Sequence, residues 1–237
     1  QEVTYLDLAN MLIPVLAGTS PIKIRPIVGD DDEEAPPSTG DLSSAAVLDI
    51  KAGGKQRLTM LFDLGQASDS AEGVALLALY DLAGKPRLLD AVNVATDRIT
   101  FFREPARLAI GAGDDAVVTT STHFNSSQGY VITPLIMVRD DKFELVDMIY
   151  TFDERLCAYS RKQDVTFQTI ADGQPYAAVK VTVTDSTVPS DESCDDAPPE
   201  ASSHDFSVTY HWDKKTSRYV KDSDAFEKLA AENEKRF

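Results

Sequence analysis

Apolar and polar residues alternate with a period of two along most of this chain, and Gly, Asp, Asn or Lys interrupts the alternation at short intervals. Period-two runs bounded by turn residues predict strands joined as hairpins. One pattern is written twice. Residues 77–92 are an apolar run, a charged turn over Ala83-Gly84-Lys85 and a second apolar run; residues 135–149 repeat this around Asp140-Asp141. Each copy carries an aspartate, Asp90 or Asp147, just after the Leu-Leu or Leu-Val pair of its second strand. Recurrence of this kind predicts a repeated supersecondary unit, and the matching aspartates predict a shared structural task.

Extended in both directions, the pattern predicts three four-stranded meanders. The first spans 45–95, with strands at 46–50, 56–64, 74–82 and 87–94. The second spans 107–152, with strands at 107–110, 116–124, 130–139 and 142–152. The third spans 165–222, with strands at 165–170, 176–184, 206–213 and 217–220. The first turn of each meander holds glycine (Gly53-Gly54, Gly111 with Gly113, and Gly173), which supplies the positive φ of a tight hairpin. The third turn is short and charged, and only the middle turn varies freely: 65–73, 125–128 and 185–205. A separate apolar strand is expected at 98–102. The expected fold is mainly β: three successive antiparallel meanders, blade-like or forming a sandwich, in a single domain over 43–222.

Helical periodicity is confined to the ends. Within residues 1–28, Thr4 and Asp7 stand at capping-box spacing, and Tyr5, Leu8, Ala9, Leu12 and Leu16 recur on one face, with Pro14 limiting or kinking the helix. In residues 223–237, after a cap at Asp222 or Ser223, Phe226, Leu229 and Ala230 form a narrow apolar stripe. Between the first helix and the strands, residues 29–42 are rich in acid and proline and poor in apolar side chains, which predicts a flexible loop.

Charge changes the picture of partners. The 237 residues carry 39 acidic and 23 basic side chains, a net charge of −16. Such a surface repels phosphate backbones, so no nucleic-acid partner is expected. No apolar run approaches the ~18 residues that span a bilayer, so no membrane insertion is expected. The chain starts at Gln1, as a mature form with its signal peptide removed would. Cys157 and Cys194 both sit among polar neighbours, which predicts a disulfide and a periplasmic or secreted location.

Candidate chemistry is sparse. No phosphate-binding glycine loop, Cys-x-x-Cys pair or dinucleotide fingerprint occurs, and neither cofactor nor metal is expected. His211 and Asp213 share a strand face, and the acid-rich stretch 185–213 lacks Lys and Arg, but neither has the spacing of a zinc or calcium site. The densest polar stretch is 119–130, where His123, Asn125, Ser126, Ser127 and Gln128 crowd a strand end and its turn. Their hydroxyls and amides can donate and accept in many directions, which suits a polar ligand or an internally bonded strand edge. Trp212 shares a strand face with Tyr210, either as core or as an aromatic platform for a ligand. No catalytic set is assigned. The expected function is a non-catalytic extracytoplasmic binding or interaction protein, taking a polar ligand or a protein partner, with a homodimer through an edge strand as one form of partnership. The alternative is a hydrolase acting on a polar extracellular substrate through His123 with a nearby Ser or carboxylate.

Overall fold

In the computed structural model of the chain, which describes residues 3–27, 42, 45–66 and 73–236, most strands overlap the runs that the alternation marks. Helices α1 (Tyr5–Asn10) and α2 (Ile13–Leu16) precede β1 (Arg25–Pro26), β2 (Ala46–Ala52), β3 (Lys55–Gln66), β4 (Gly73–Asp81) and β5 (Arg87–Asn93). Then follow β6 (Ile99–Ala109), β7 (Asp115–Phe124), β8 (Gln128–Arg139), β9 (Lys142–Arg155), β10 (Tyr159–Ile170), β11 (Ala178–Pro189), β12 (Ser202–Asp213) and β13 (Arg218–Lys221). Helix α3 (Ala225–Asn233) and a 3-10 turn (Glu234–Arg236) end the described chain. The fold is mainly β, with two sheets of antiparallel strands and short helices at both ends. One sheet has the order β1-β5-β4-β3-β2, with a two-residue parallel pairing of β1 on β5; the other runs β13-β12-β11-β10-β9-β8-β7-β6. The expected acidic loop at 29–42 lies outside the described residues apart from Leu42, as does 67–72 of the first middle turn.

The chain forms two compact units, residues 1–121 with 133–148, and residues 122–132 with 149–237. In the first, β4 is buried along its whole length. Its side chains alternate between two cores. Ala75, Leu77 and Leu79 pack with Ile50, Leu61, Val92, Val117, Ile136, Val138 and Phe143. Val74, Leu76, Ala78 and Tyr80 pack with Leu8, Ala9, Leu12, Met60 and Phe62. The N-terminal helices therefore cover one face of the five-stranded sheet, and strands from the second sheet cover the other. The capping box forms as expected: Thr4 Oγ1 accepts from Asp7 N at 3.2 Å, and Thr4 N donates to the Asp7 carboxylate at 2.8 Å. Pro14 does not kink α1; it opens α2, where its missing N–H costs nothing. The Tyr80 hydroxyl donates to the Leu8 carbonyl at 3.0 Å, fixing helix to sheet.

Within this unit the two hairpins that read as copies are clasped at their turns. Buried Arg57 on β3 forks onto Asp141 of the second charged turn (Nε–Oδ1 2.8 Å, Nη2–Oδ2 3.0 Å) and reaches Asp81 at the first (3.0 Å). Asp140 and Asp141 hold φ of 52° and 59°, the left-handed pair of a type I′ turn. Asp90 is buried and accepts from Arg25 (3.0 Å), Lys142 (3.2 Å) and the Phe143 N–H (2.9 Å). The first turns meet as well. Gly54 N donates to Gly113 O at 2.9 Å, and a Cβ on Gly113 would stand 2.6 Å from Gly54 N.

Three expectations need correction. Asp147 is half-exposed and accepts from Met148 N at 2.8 Å, so the matching aspartates do not share the buried role of Asp90. The strands expected separately at 98–102 and 107–110 form one strand, β6. Pro105 interrupts the pattern but lies on a sheet edge, where its missing N–H is tolerated. The long loop expected at 185–205 is shorter, because β11 runs on to Pro189 and β12 begins at Ser202, leaving only 190–201 between them. β11 and β12 pair from Val179↔Tyr210 to Thr187↔Ser202, with Thr182–Ser207 (2.9 Å), Thr184–Asp205 (2.7 Å) and Ser186–Ser203 (3.3 Å) side-chain bonds across the ladder. In the same unit α3 packs on β12 with Phe226 and Leu229 buried.

The Asp81 carboxyl is held below the usual carboxylate range, first by the Ala83 N–H, then by Arg87 and by the charge of Arg57. A depressed carboxylate stabilises the fold above its unfolded pKa, and that contribution is lost as pH falls through its folded value. Asp81→Asn should therefore lower the melting temperature at neutral pH and flatten its fall below about pH 4, as read by calorimetry across pH; a parallel acid limb would refute this role.

Candidate functional site

The turn between β7 and β8 is closed by its own first residue. Asn125 Oδ1 accepts from Ser127 N (2.9 Å) and Gln128 N (2.8 Å), and Asn125 N donates to Gln128 O (2.8 Å). This is the side-chain mimic of a backbone turn that Asn favours. It leaves the Asn125 amide nitrogen and the Ser126 and Ser127 hydroxyls without partners among the described residues. Arg155 N at the end of β9 donates to Ser127 O at 2.6 Å, fastening the turn to the neighbouring hairpin. Gly129 permits the last contact: a Cβ there would lie 2.0 Å from the Phe124 ring, so the ring rests over the glycine with 56% of the residue exposed.

The β9–β10 hairpin forms the other wall, with Arg155 opposite Ser160 and Glu154 opposite Arg161. Its turn is held from outside. The expected disulfide joins Cys157 to Cys194 with Cα atoms 5.9 Å apart, and Ser190 N donates to Ala158 O at 2.8 Å. Between turn and hairpin lies an open cleft of about 350 Å³, lined by residues 124–129, 153–155 and 160–162.

A buried polar network supports the hairpin wall. Gln163 and Asn233 exchange amide hydrogen bonds (3.0 and 2.8 Å), tying the last residue of α3 to β10. Gln163 Oε1 also accepts from Phe152 N at 2.9 Å, and its Nε2 donates to Asp185 at 3.0 Å. Asp185 in turn receives Arg161 Nε at 2.6 Å together with the Arg161 Nη2. The Asp185 hydrogen bond, more than its charge, raises the Arg161 pKa. The Tyr159 hydroxyl donates to Glu154, which pushes the phenol up and occupies that carboxylate.

The sequence-derived candidates divide between two places. Asn125, Ser126, Ser127 and Gln128 line the cleft. His123 is not among the lining residues; its ring stacks on Tyr130 at 5.3 Å, and Tyr130 leans on Tyr150 at 6.0 Å. Neither the Ser126 nor the Ser127 hydroxyl bonds to His123, so no Ser–His pair is assembled there. Trp212 is 8% exposed, edge-on to Tyr176 (4.5 Å) and Tyr219 (5.5 Å). It fills the core rather than offering a platform, because Tyr210 and Trp212 occupy the buried face of β12. His211 is exposed, 3.4 Å from Asp172. Among the described residues no three or more His, Cys, Asp or Glu side chains are grouped to hold a metal, and no helix is long and apolar enough to cross a membrane.

Sequence reasoning missed Phe124, Arg155, Arg161 and Lys162 as cleft residues, and Gln163 and Asn233 beneath them. Only the closeness of Arg155 and Arg161 to Cys157 marked that segment as fixed in place. No protein-family model, curated protein or solved structure matches the chain.

Asn233→Ala should cost about 1–3 kcal/mol, because it leaves the buried Gln163 amide short of a partner; urea denaturation measures this, and a change within error would remove the pair from the account. Replacing both cysteines with serine should cost up to about 4 kcal/mol for the 37-residue separation they span, read from the same denaturation curves.

Proposed function

We propose that this protein is a non-catalytic binding or interaction module of an extracytoplasmic, secreted or periplasmic setting, and that the cleft between the 124–129 turn and the β9–β10 hairpin takes its polar ligand. The observation that carries this reading is a set of polar groups around one opening that have no partner among the described residues. The Asn125 amide nitrogen and the Ser126 and Ser127 hydroxyls stand in the lining with Arg155, whose guanidinium makes no hydrogen bond or ion pair with any described residue. Polar groups that the protein leaves unpaired are open to a ligand that completes them. The surrounding sheet supplies rigidity, and the disulfide is compatible with an oxidising compartment.

The test is an amide-resolved NMR titration with a panel of short peptides and oligosaccharides. Shifts should concentrate at residues 124–129 and 153–162, and a Ser126→Ala/Arg155→Ala variant should bind about tenfold more weakly. Shifts centred elsewhere on the fold would defeat the proposal.

A further inference from the structure

We infer that the ligand of this cleft is an acidic carbohydrate, a sugar ring carrying a carboxylate; this rests on the reading of the cleft as a binding surface and adds the chemical class. The first argument is the balance of donors and acceptors. Two carboxylates line the cleft, and each has one oxygen bonded from within the protein: Asp153 Oδ1 accepts from Gln163 N at 2.9 Å, and Glu154 Oε1 accepts from the Tyr159 hydroxyl. The groups without partners among the described residues are the Arg155 guanidinium and the Asn125 amide nitrogen, which only donate, and the hydroxyls of Ser126, Ser127 and Ser160, which donate and accept. The two donor-only groups, the Arg155 guanidinium and the Asn125 amide nitrogen, call for acceptors on the ligand, and the hydroxyls can meet either kind of group.

Charge narrows the class. With 39 acidic side chains against 23 basic, a cation in this chain has carboxylates in abundance to pair with. Lys162 finds Asp164 at 2.7 Å and Arg161 finds Asp185, yet Arg155 pairs with neither. A planar guanidinium fork matches a carboxylate with two parallel hydrogen bonds.

Phe124 decides between kinds of carboxylate. Its ring rests on Gly129 and borders the same opening, and the residue is 56% exposed. An aromatic face carries negative charge density and attracts the weakly positive C–H face of a sugar ring. A pyranose lying on Phe124 would bring its ring substituents to the hydroxyls and amide of the 125–127 turn and a ring carboxylate to Arg155. A run of acidic side chains would satisfy Arg155 but brings no C–H ring face to Phe124. The volume of about 350 Å³ suits a ligand of this size, and the open form admits the rest of a chain.

The probes are a trimer of galacturonic acid, the neutral galactose trimer and a pentaglutamate peptide, each titrated at low salt by calorimetry and by amide NMR. The expected result is binding of the uronate trimer with shifts at 124–129 and 153–162. Phe124→Ala and Arg155→Gln should each weaken it at least about tenfold, with unchanged circular dichroism. Gly129→Ala, which pushes the ring from its seat, should weaken it too. Equal binding of the neutral trimer, binding of pentaglutamate alone, or an Arg155→Gln variant that binds as the parent does would overturn the acidic-sugar assignment and leave the cleft as a binding surface. Silence of the cleft resonances to all three probes would also overturn it; the broader reading falls only if the wider panel is silent as well.

Discussion

A strand that is dry on both faces must be covered twice, and the first compact unit is organised around meeting that demand for β4. Its continuous apolar run cannot be satisfied by one layer, because alternate side chains point in opposite directions. The N-terminal helices close one side, and strands of the second sheet close the other. The buried charges follow from the same arrangement. Packing one hairpin against another brings their charged turns together, and Arg57 pairs what would otherwise be two neighbouring carboxylates, Asp81 and Asp141. Asp90 plays the matching part further along, gathering Arg25, Lys142 and a backbone N–H. A charge deprived of water needs partners of this kind.

The second unit is held by polar pairing to a greater degree. The Gln163–Asn233 exchange, the Arg161–Asp185 pair and the hydroxyl ladder between β11 and β12 satisfy groups that an apolar core would have to exclude. Such networks accept little movement, since each displaced member leaves another unsatisfied. The hairpin wall of the cleft rests on them and is pinned again by its disulfide. A rigid wall facing a turn closed by its own asparagine spares a ligand much of the cost of ordering its site.

The positions of the strands were legible because burial on one face writes period two into the sequence, and glycine or charged residues mark where the chain reverses. The exceptions have local causes. Pro105 breaks the pattern without breaking the strand, because an edge position asks nothing of its nitrogen. The ends of β11 and β12 carry Ser, Thr, His and Asp in place of apolar alternation, so they read as loop although their side chains bond across the ladder. Asp90 and Asp147 look equivalent along the chain, but burial is decided by which neighbour arrives, and alternation says nothing of that. The cleft was half legible for the same reason. A turn dense in amides and hydroxyls stands out in the sequence, whereas its meeting with Arg155 and Ser160 depends on strand neighbours that no local pattern records.

The clasp at Arg57 also dictates an order of assembly. Arg57 and Asp141 are separated by 84 positions, and the chain between them leaves the first unit at Thr122 and returns at Thr133. As the polypeptide is synthesised from its N-terminus, β2 to β5 emerge well before the strands that cover their second face. Until residues 133–148 appear, the core over Leu77 and Leu79 lacks Ile136, Val138 and Phe143, and the nascent sheet presents part of its apolar face to whatever surrounds it. Completion of this unit therefore waits on a segment interrupted by residues of the other, so the two cannot mature one after the other as beads on a string. Non-local closure of this sort slows folding and lengthens the interval in which a holding chaperone has work to do.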